Sequence, residues 1–165
     1  MKEIKLAIDG KEVQLTDKQL RVLGIIEKEK HPFERSYYGC DYFCISDIGT
    51  VECYCDNKDK YAEAFFKAVN YFSTQPFAHQ VALHQLLYRK LLKFSYDNEC
   101  EDKEWNGTNV HVYIIYNSTR KDYDTRWTRD EKEPGTVYFK STAWATAAIN
   151  EVVMPFVKEH PDFVW

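Results

Sequence analysis

Five cysteines and five histidines are the residues with which this 165-residue chain could bind a metal or run nucleophilic chemistry. Cys40, Cys44, Cys53 and Cys55 lie close together, but their spacings are C-x3-C and C-x-C. Structural zinc sites usually seat two ligands in a tight C-x-x-C knuckle instead. With Ile48-Gly49 as a hairpin turn, Cys44 is expected opposite Cys53, two small apolar thiols on one sheet face. His79 and His84 are five apart on an expected helix, which turns them away from a common face, unlike the i,i+4 pair of a metalloprotease. His84, near an apolar stripe, and His111, on an expected buried strand, read as hydrogen-bonded, half-buried imidazoles. No metal and no cofactor are therefore expected. There is no phosphate-binding glycine loop and no nucleophile elbow, and six glycines leave little material for either. The expectation is a protein that is not an enzyme, since any active site would have to be assembled in space.

Two segments have the composition of binding surfaces. Asp97, Glu99, Glu101, Asp102 and Glu104 surround Cys100 and Lys103, an acidic patch able to face a basic partner or stand in for phosphate charge. Its plain alternative is a solvated connector. Residues 120 to 129 interleave bases and aromatics, with Arg120, Tyr123, Arg126, Trp127 and Arg129 as the candidate contacts. On a strand, Tyr123, Thr125, Trp127 and Arg129 are expected to share one face, where rings and a guanidinium could anchor a protein interface or stack on bases. Asp122 and Asp124 offset half of the positive charge, so protein is the expected partner ahead of nucleic acid. The alternative has Trp127 packed on the sheet and the charges in cross-strand pairs.

Composition sets the frame for these segments. A formal charge of −4 with 29% charged residues excludes an overall basic field that would draw the whole molecule onto nucleic acid or anionic lipid. Met1 to Lys5 lacks a signal-peptide core and no apolar run is long enough to span a bilayer, so the expected place is the cytosol, with no membrane partner and reduced thiols. The 44% hydrophobic content can supply the core of one domain.

The elements that must position these residues follow from local patterning. Ile4, Leu6 and Ile8, then Val13 and Leu15, alternate about Asp9-Gly10, a hairpin pairing Ile8 with Lys11, Leu6 with Val13 and Ile4 with Leu15. Thr16 to Gln19 fits a capping box that opens a short helix to about Lys28. Strands are expected over 41 to 46, 50 to 55 and 66 to 72, then a long helix capped by Thr74 with Pro76 in its first turn, running from Gln75 to Phe94 or beyond. Phe77, Val81, Tyr88 and Leu91 form its stripe, widened by Leu83, Leu87 and Phe94. The pattern returns with strands at 110 to 117, 122 to 129 and 136 to 139. A helix capped by Ser141-Thr142 follows, with Ala145, Ala148, Ile149, Val152 and Val153 inward and a bend or end at Pro155. An offset of 67 places Tyr71-Phe72 on Tyr138-Phe139. The expected fold is α+β: an N-terminal hairpin-helix unit (1–30), then two β-β-β-α units (31–100 and 101–165), packed as antiparallel sheet with helices on one face in one compact domain.

Pro32-Phe33-Glu34-Arg35, Ala82 to Phe94, Val137-Tyr138-Phe139 and the ending Glu151 to Phe163 resemble small, mostly uncharacterised accessory proteins of phages and prophages of Gram-positive bacteria. The likeness covers roughly Pro32 to Trp165, and its motifs are structural, so it assigns no catalytic residue. It implies a viral protein expressed in the host cytoplasm. By analogy with such proteins, the expected function is an inhibitor that occupies a host defence protein, of the anti-CRISPR type that blocks Cas effectors. A nucleic-acid-binding accessory protein is the alternative, and a homodimer is compatible with either.

Overall fold

The computed structural model describes residues 6–8, 11–13, 16, 19–20 and 31–165. β1 (Leu6–Ile8) and β2 (Lys11–Val13) pair antiparallel in the expected register, Leu6 with Val13 and Ile8 with Lys11. The expected pairing of Ile4 with Leu15 and the helix beyond residue 20 lie outside the described residues. The capping box is present: the Gln19 N–H donates to Thr16 Oγ1, and the Thr16 N–H donates back to Gln19 Oε1 at 3.0 Å.

The body is α+β, with antiparallel two-stranded sheets and helices. In its first unit, β3 (Asp41–Ile45) pairs with β4 (Val51–Cys55), and Cys53 faces Phe43 while Cys44 faces Glu52. The expected Cys44–Cys53 pairing is thus one residue out of register. The loop has three residues, closed by Gly49 at φ +88° donating to Ser46, and a three-residue loop shifts every pair by one relative to a two-residue turn.

A second correction concerns 66 to 72, expected as a strand. Residues Lys60–Lys67 form helix α1, opened by Asp59, whose carboxylate accepts from the Tyr61 and Ala62 N–H groups at 2.9 Å. The helix closes in a Schellman turn, with Asn70 N–H on the Phe65 carbonyl and Val69 N–H on Phe66. Only Phe72 remains extended, bridged to Phe43. Helix α2 (Gln75–Asp97) follows, longer than the expected minimum and with Pro76 in its first turn; Thr74 is extended, but its hydroxyl makes no cap bond. Its buried stripe is Ala78, Ala82, Leu83, Leu87, Leu91 and Phe94, while Tyr88 is exposed.

The second unit repeats the plan. β5 (His111–Asn117) pairs with β6 (Asp122–Thr128), and the expected strand at 136 to 139 reduces to Phe139 bridged to Val112. Ser141 then caps helix α3 (Thr142–Ala148), its hydroxyl accepting from the Trp144 N–H. Pro155 does not end the helix. A π turn over Ile149–Val153, in which the Met154 N–H reaches the Ile149 carbonyl, precedes α4 (Met154–Glu159) and accommodates the missing donor.

Helices do not all lie on one face. Phe43, Ile45 and Val51 pack with Ala78 and Ala82 of α2, whereas Tyr42 and Cys44 on the opposite face pack with Ala62 and Phe65 of α1 and with Tyr71. The larger core lies between α2, α3, the π turn and the Val112–Ile114 face of β5, centred on fully buried Phe139 and Val153. No helix among the described residues is long and apolar enough to cross a membrane.

Candidate functional site

The strand of alternating bases and aromatics divides between the two faces of the second hairpin. Tyr123, Thr125 and Trp127 lie opposite Tyr116, Ile114 and Val112, the core-facing set, and Arg126 lies opposite Tyr113 on the other face. Tyr123 packs against the core, 5.3 Å from the Tyr116 ring and 5.1 Å from Trp165, so it does not join an exposed stripe with Trp127 as expected. Trp127, at the end of the sheet, is 65% exposed, with the Arg129 guanidinium 6.0 Å from its ring centroid; Arg129 itself lies just beyond the strand. Arg120 is held in the hairpin loop by Asp122 at 3.3 Å and Asp124 at 2.5 Å. These contacts pull Asp124 below the usual carboxylate range, the Thr125 N–H first and Arg120 second. Two of the strand's acids are thereby committed to Arg120. Among the described residues Arg126 and Arg129 have no carboxylate within ion-pair distance.

The acidic segment is likewise split. Asp97 pairs with Lys93 one helical turn away, and Glu99 presents its carbonyl to the Lys140 ammonium at 2.7 Å. Glu101 pairs with Lys103 at 2.7 Å, and that ammonium also sits 4.3 Å from the Tyr96 ring centroid. Asp102, nine-tenths buried, is hydrogen-bonded to His111 Nδ1 at 2.7 Å. Glu104 is exposed. Three of the five carboxylates, those of Asp97, Glu101 and Asp102, thus have internal cations or an imidazole, and Glu99, Glu101, Asp102 and Glu104 line a hollow of about 650 Å³ together with Tyr96, Lys103 and Lys140.

His111 is fully buried, hydrogen-bonded as expected, and stacked on Trp105 at 3.7 Å between ring centroids. Its Nε2 and the Trp105 Nε1 are buried without a hydrogen-bond partner. An aspartate-oriented imidazole resembles half of a catalytic relay, but the indole covers the ring and no nucleophile touches its Nε2. The pairing spans nine residues of irregular chain, and spacing alone gave no sign of it. His84, expected half-buried, is instead exposed, beside Phe163 at 4.8 Å.

The thiols are free: Cys44 and Cys100 are buried, and Cys40, Cys53 and Cys55 are exposed. Burial pushes the Cys44 thiol up to about 11, which keeps it protonated and inert at neutral pH. Among the described residues no three His, Cys, Asp or Glu side chains converge as a metal would require.

One surface was missed from sequence. Tyr37 and Tyr38 are 84% and 72% exposed on a turn that hydrogen-bonds to the loop after β4, and Tyr61, 66% exposed, carries the Lys60 ammonium 5.3 Å from its ring centroid. The sequence signal was the Tyr-Tyr-Gly turn, which reads as connector unless exposure is known. The chain matches no family model, and no curated protein or solved structure matches it either.

Proposed function

We propose that this chain is a non-enzymatic binding protein that docks on a host protein through the outer strand of its second unit, with Trp127 and Arg129 as the anchor. On the resemblance to phage accessory proteins, the target is a host defence protein of the Cas-effector kind, met in the host cytoplasm, and docking inhibits it. The observation that carries the reading is the exposed indole of Trp127 under the Arg129 guanidinium. A large apolar side chain left in water on a strand end is unfavourable in the isolated protein, and Trp and Arg are the residues most often found at interface hot spots. Exposed Asp130, next in the chain to Arg129, supplies charge that selects against wrong partners rather than affinity.

A second reading is supported by the same strand. Because Arg120 takes up Asp122 and Asp124, Arg126 and Arg129 are left to meet phosphate while Trp127 stacks on a base. One experiment separates the two. The chain and its W127A/R129A variant are used as baits for host lysate, with a Cas effector added, and the same pair is titrated against single- and double-stranded nucleic acid at rising salt. The protein-binding reading expects one defined partner retained at physiological salt, with affinity lowered about 30-fold or more in the variant. Failure to retain any specific protein overturns it. Micromolar nucleic-acid binding that weakens steeply with salt and fails in R126A/R129A establishes the second reading instead.

A further inference from the structure

The edges of the two hairpins are treated differently. On β3, Phe43 directs its N–H and C=O to Phe72 at 2.8 Å each, and Ile45 directs its own to the Asn70 side-chain amide at 2.8 and 2.7 Å. Ser36 Oγ donates to the Asp41 carbonyl at 2.8 Å, so that edge is closed along its length. Antiparallel pairing alternates, so Tyr42 and Cys44 are the residues that bond to Tyr54 and Glu52 on β4. It follows that the N–H and C=O groups of Val51, Cys53 and Cys55 point outward, and no strand among the described residues pairs with them.

On β6 the same alternation turns Tyr123, Thr125 and Trp127 outward, because Val112 on β5 bonds to Phe139. There the central donor is blocked, the Thr125 N–H being taken by Asp124 Oδ1 at 2.8 Å, and Asp122, Asp124 and Arg126 charge the strand. These are the means by which proteins protect open edges. β4 has little of this protection. It contains no lysine, arginine or proline, its single charge is Glu52, and Cys53, Tyr54 and Cys55 are exposed.

We infer that β4 is the pairing edge for a second copy of this chain, joined antiparallel about Cys53. In that register Cys53 meets Cys53 of the copy, Val51 meets Cys55, and every outward N–H and C=O finds a partner. Charge selects the same register, because Glu52 falls opposite Tyr54 of the copy and never opposite another Glu52. The result is a four-stranded sheet, β3 and β4 from each copy, whose two outer edges are the ones closed by Phe72 and Asn70. The assembly therefore ends at two copies and does not run on into a filament. It lies on the first unit and is independent of the Trp127 anchor.

Light scattering or sedimentation of the full chain, kept under reductant so that no disulfide contributes, tests this. The expected mass is twice the 19.6 kDa of one chain. Cys53→Pro removes only an outward donor, a place where an edge strand tolerates proline, and is expected to give a monomer with unchanged circular dichroism. Cys53→Lys, which keeps the backbone intact and charges the edge, is expected to weaken association at least tenfold and decides the matter if the proline variant does not fold. A wild-type chain that stays monomeric up to about 0.1 mM overturns the inference. So does a dimer that persists in the folded variants.

Discussion

The two units share a plan, a hairpin whose first strand is bridged by the second aromatic of a Tyr-Phe pair and then a helix, yet they cover their sheets differently. In the first, Tyr71 stacks on Tyr42 at 4.2 Å and α1 closes over that face, so both faces of the hairpin are packed. In the second, Tyr138 occupies the matching place, but no helix stands between β6 and Phe139. Trp105, arriving from before the hairpin, stacks on His111 instead. The first unit thus gains packing and leaves a strand edge that nothing among the described residues pairs with, while the second has a charged, blocked edge and leaves Trp127 and Arg129 exposed at the strand end. What differs between the two units is which backbone and which side chains stay open to solvent.

The largest expected effect tests which copy carries the fold. Phe139 and Phe72 are equivalent bridge residues and both are buried, but Phe139 sits in the larger core with α2, α3 and the π turn. Phe139→Ala should cost about 3–5 kcal/mol in denaturant unfolding, and more than Phe72→Ala, because fewer neighbours can relax into the cavity. The reverse order would make the first unit the dominant core.

Next in size is the polar hub that ties the segment before β3 to the loop after β4 and to Tyr71 in the first unit. Asp56 is buried and accepts from Arg35 at 3.2 Å, Tyr71 at 2.9 Å, the Lys58 N–H at 2.8 Å and the Lys58 ammonium at 3.3 Å. Burial pushes its carboxyl up, but those four donors together outweigh burial and hold it at about 2. The folded value lies below the ordinary one, so the stabilisation is complete above about pH 4 and is lost as pH falls toward 2. Asp56→Ala should cost about 2–3 kcal/mol at neutral pH and flatten the acid limb of a stability–pH profile between about pH 4 and 2. An unchanged acid limb would remove Asp56 as its source. The second unit has no counterpart, since Tyr138 instead accepts from the Glu133 N–H at 2.8 Å.

What was legible in the sequence follows local rules. The Thr16–Gln19 box, the Ser141 cap, the span of α2 and the positions of the hairpins depend on residues within a turn of one another. The aromatic run ending at Phe72 misled because Phe65, Phe66, Tyr71 and Phe72 suit a strand as well as a helix, and the capping Asp59 lies outside the run. The Cys44 register failed on one residue of loop length. Of the candidate contacts, Trp127, Arg126 and Arg129 are exposed, while Tyr123 and Asp102 are drawn inward by Trp165 and His111, partners beyond their own local turns, and Glu101 pairs with nearby Lys103. The state of a sheet edge is a tertiary fact with no signature in spacing.

The smallest effect concerns the stop signal that was missing at the end of α1. A Schellman turn normally places glycine in the left-handed position, but here Val69 holds φ +56°, a conformation that crowds a β-branched side chain. That turn delivers Asn70 to the Ile45 backbone, closing the β3 edge, so the strain is set against two hydrogen bonds. Val69 is 63% exposed, and its side chain contributes little packing to offset the strain. Relief of a left-handed valine is worth about 1–2 kcal/mol, and the greater freedom of glycine in the unfolded chain takes back about 0.4–1. Val69→Gly should therefore raise stability by about 0.5–1 kcal/mol, read as a higher urea midpoint at constant slope. It should leave the mass of the assembly unchanged, because the Asn70 clamp is kept. A lower midpoint would mean that the turn is not strained and that the first unit closes its β3 edge without that cost.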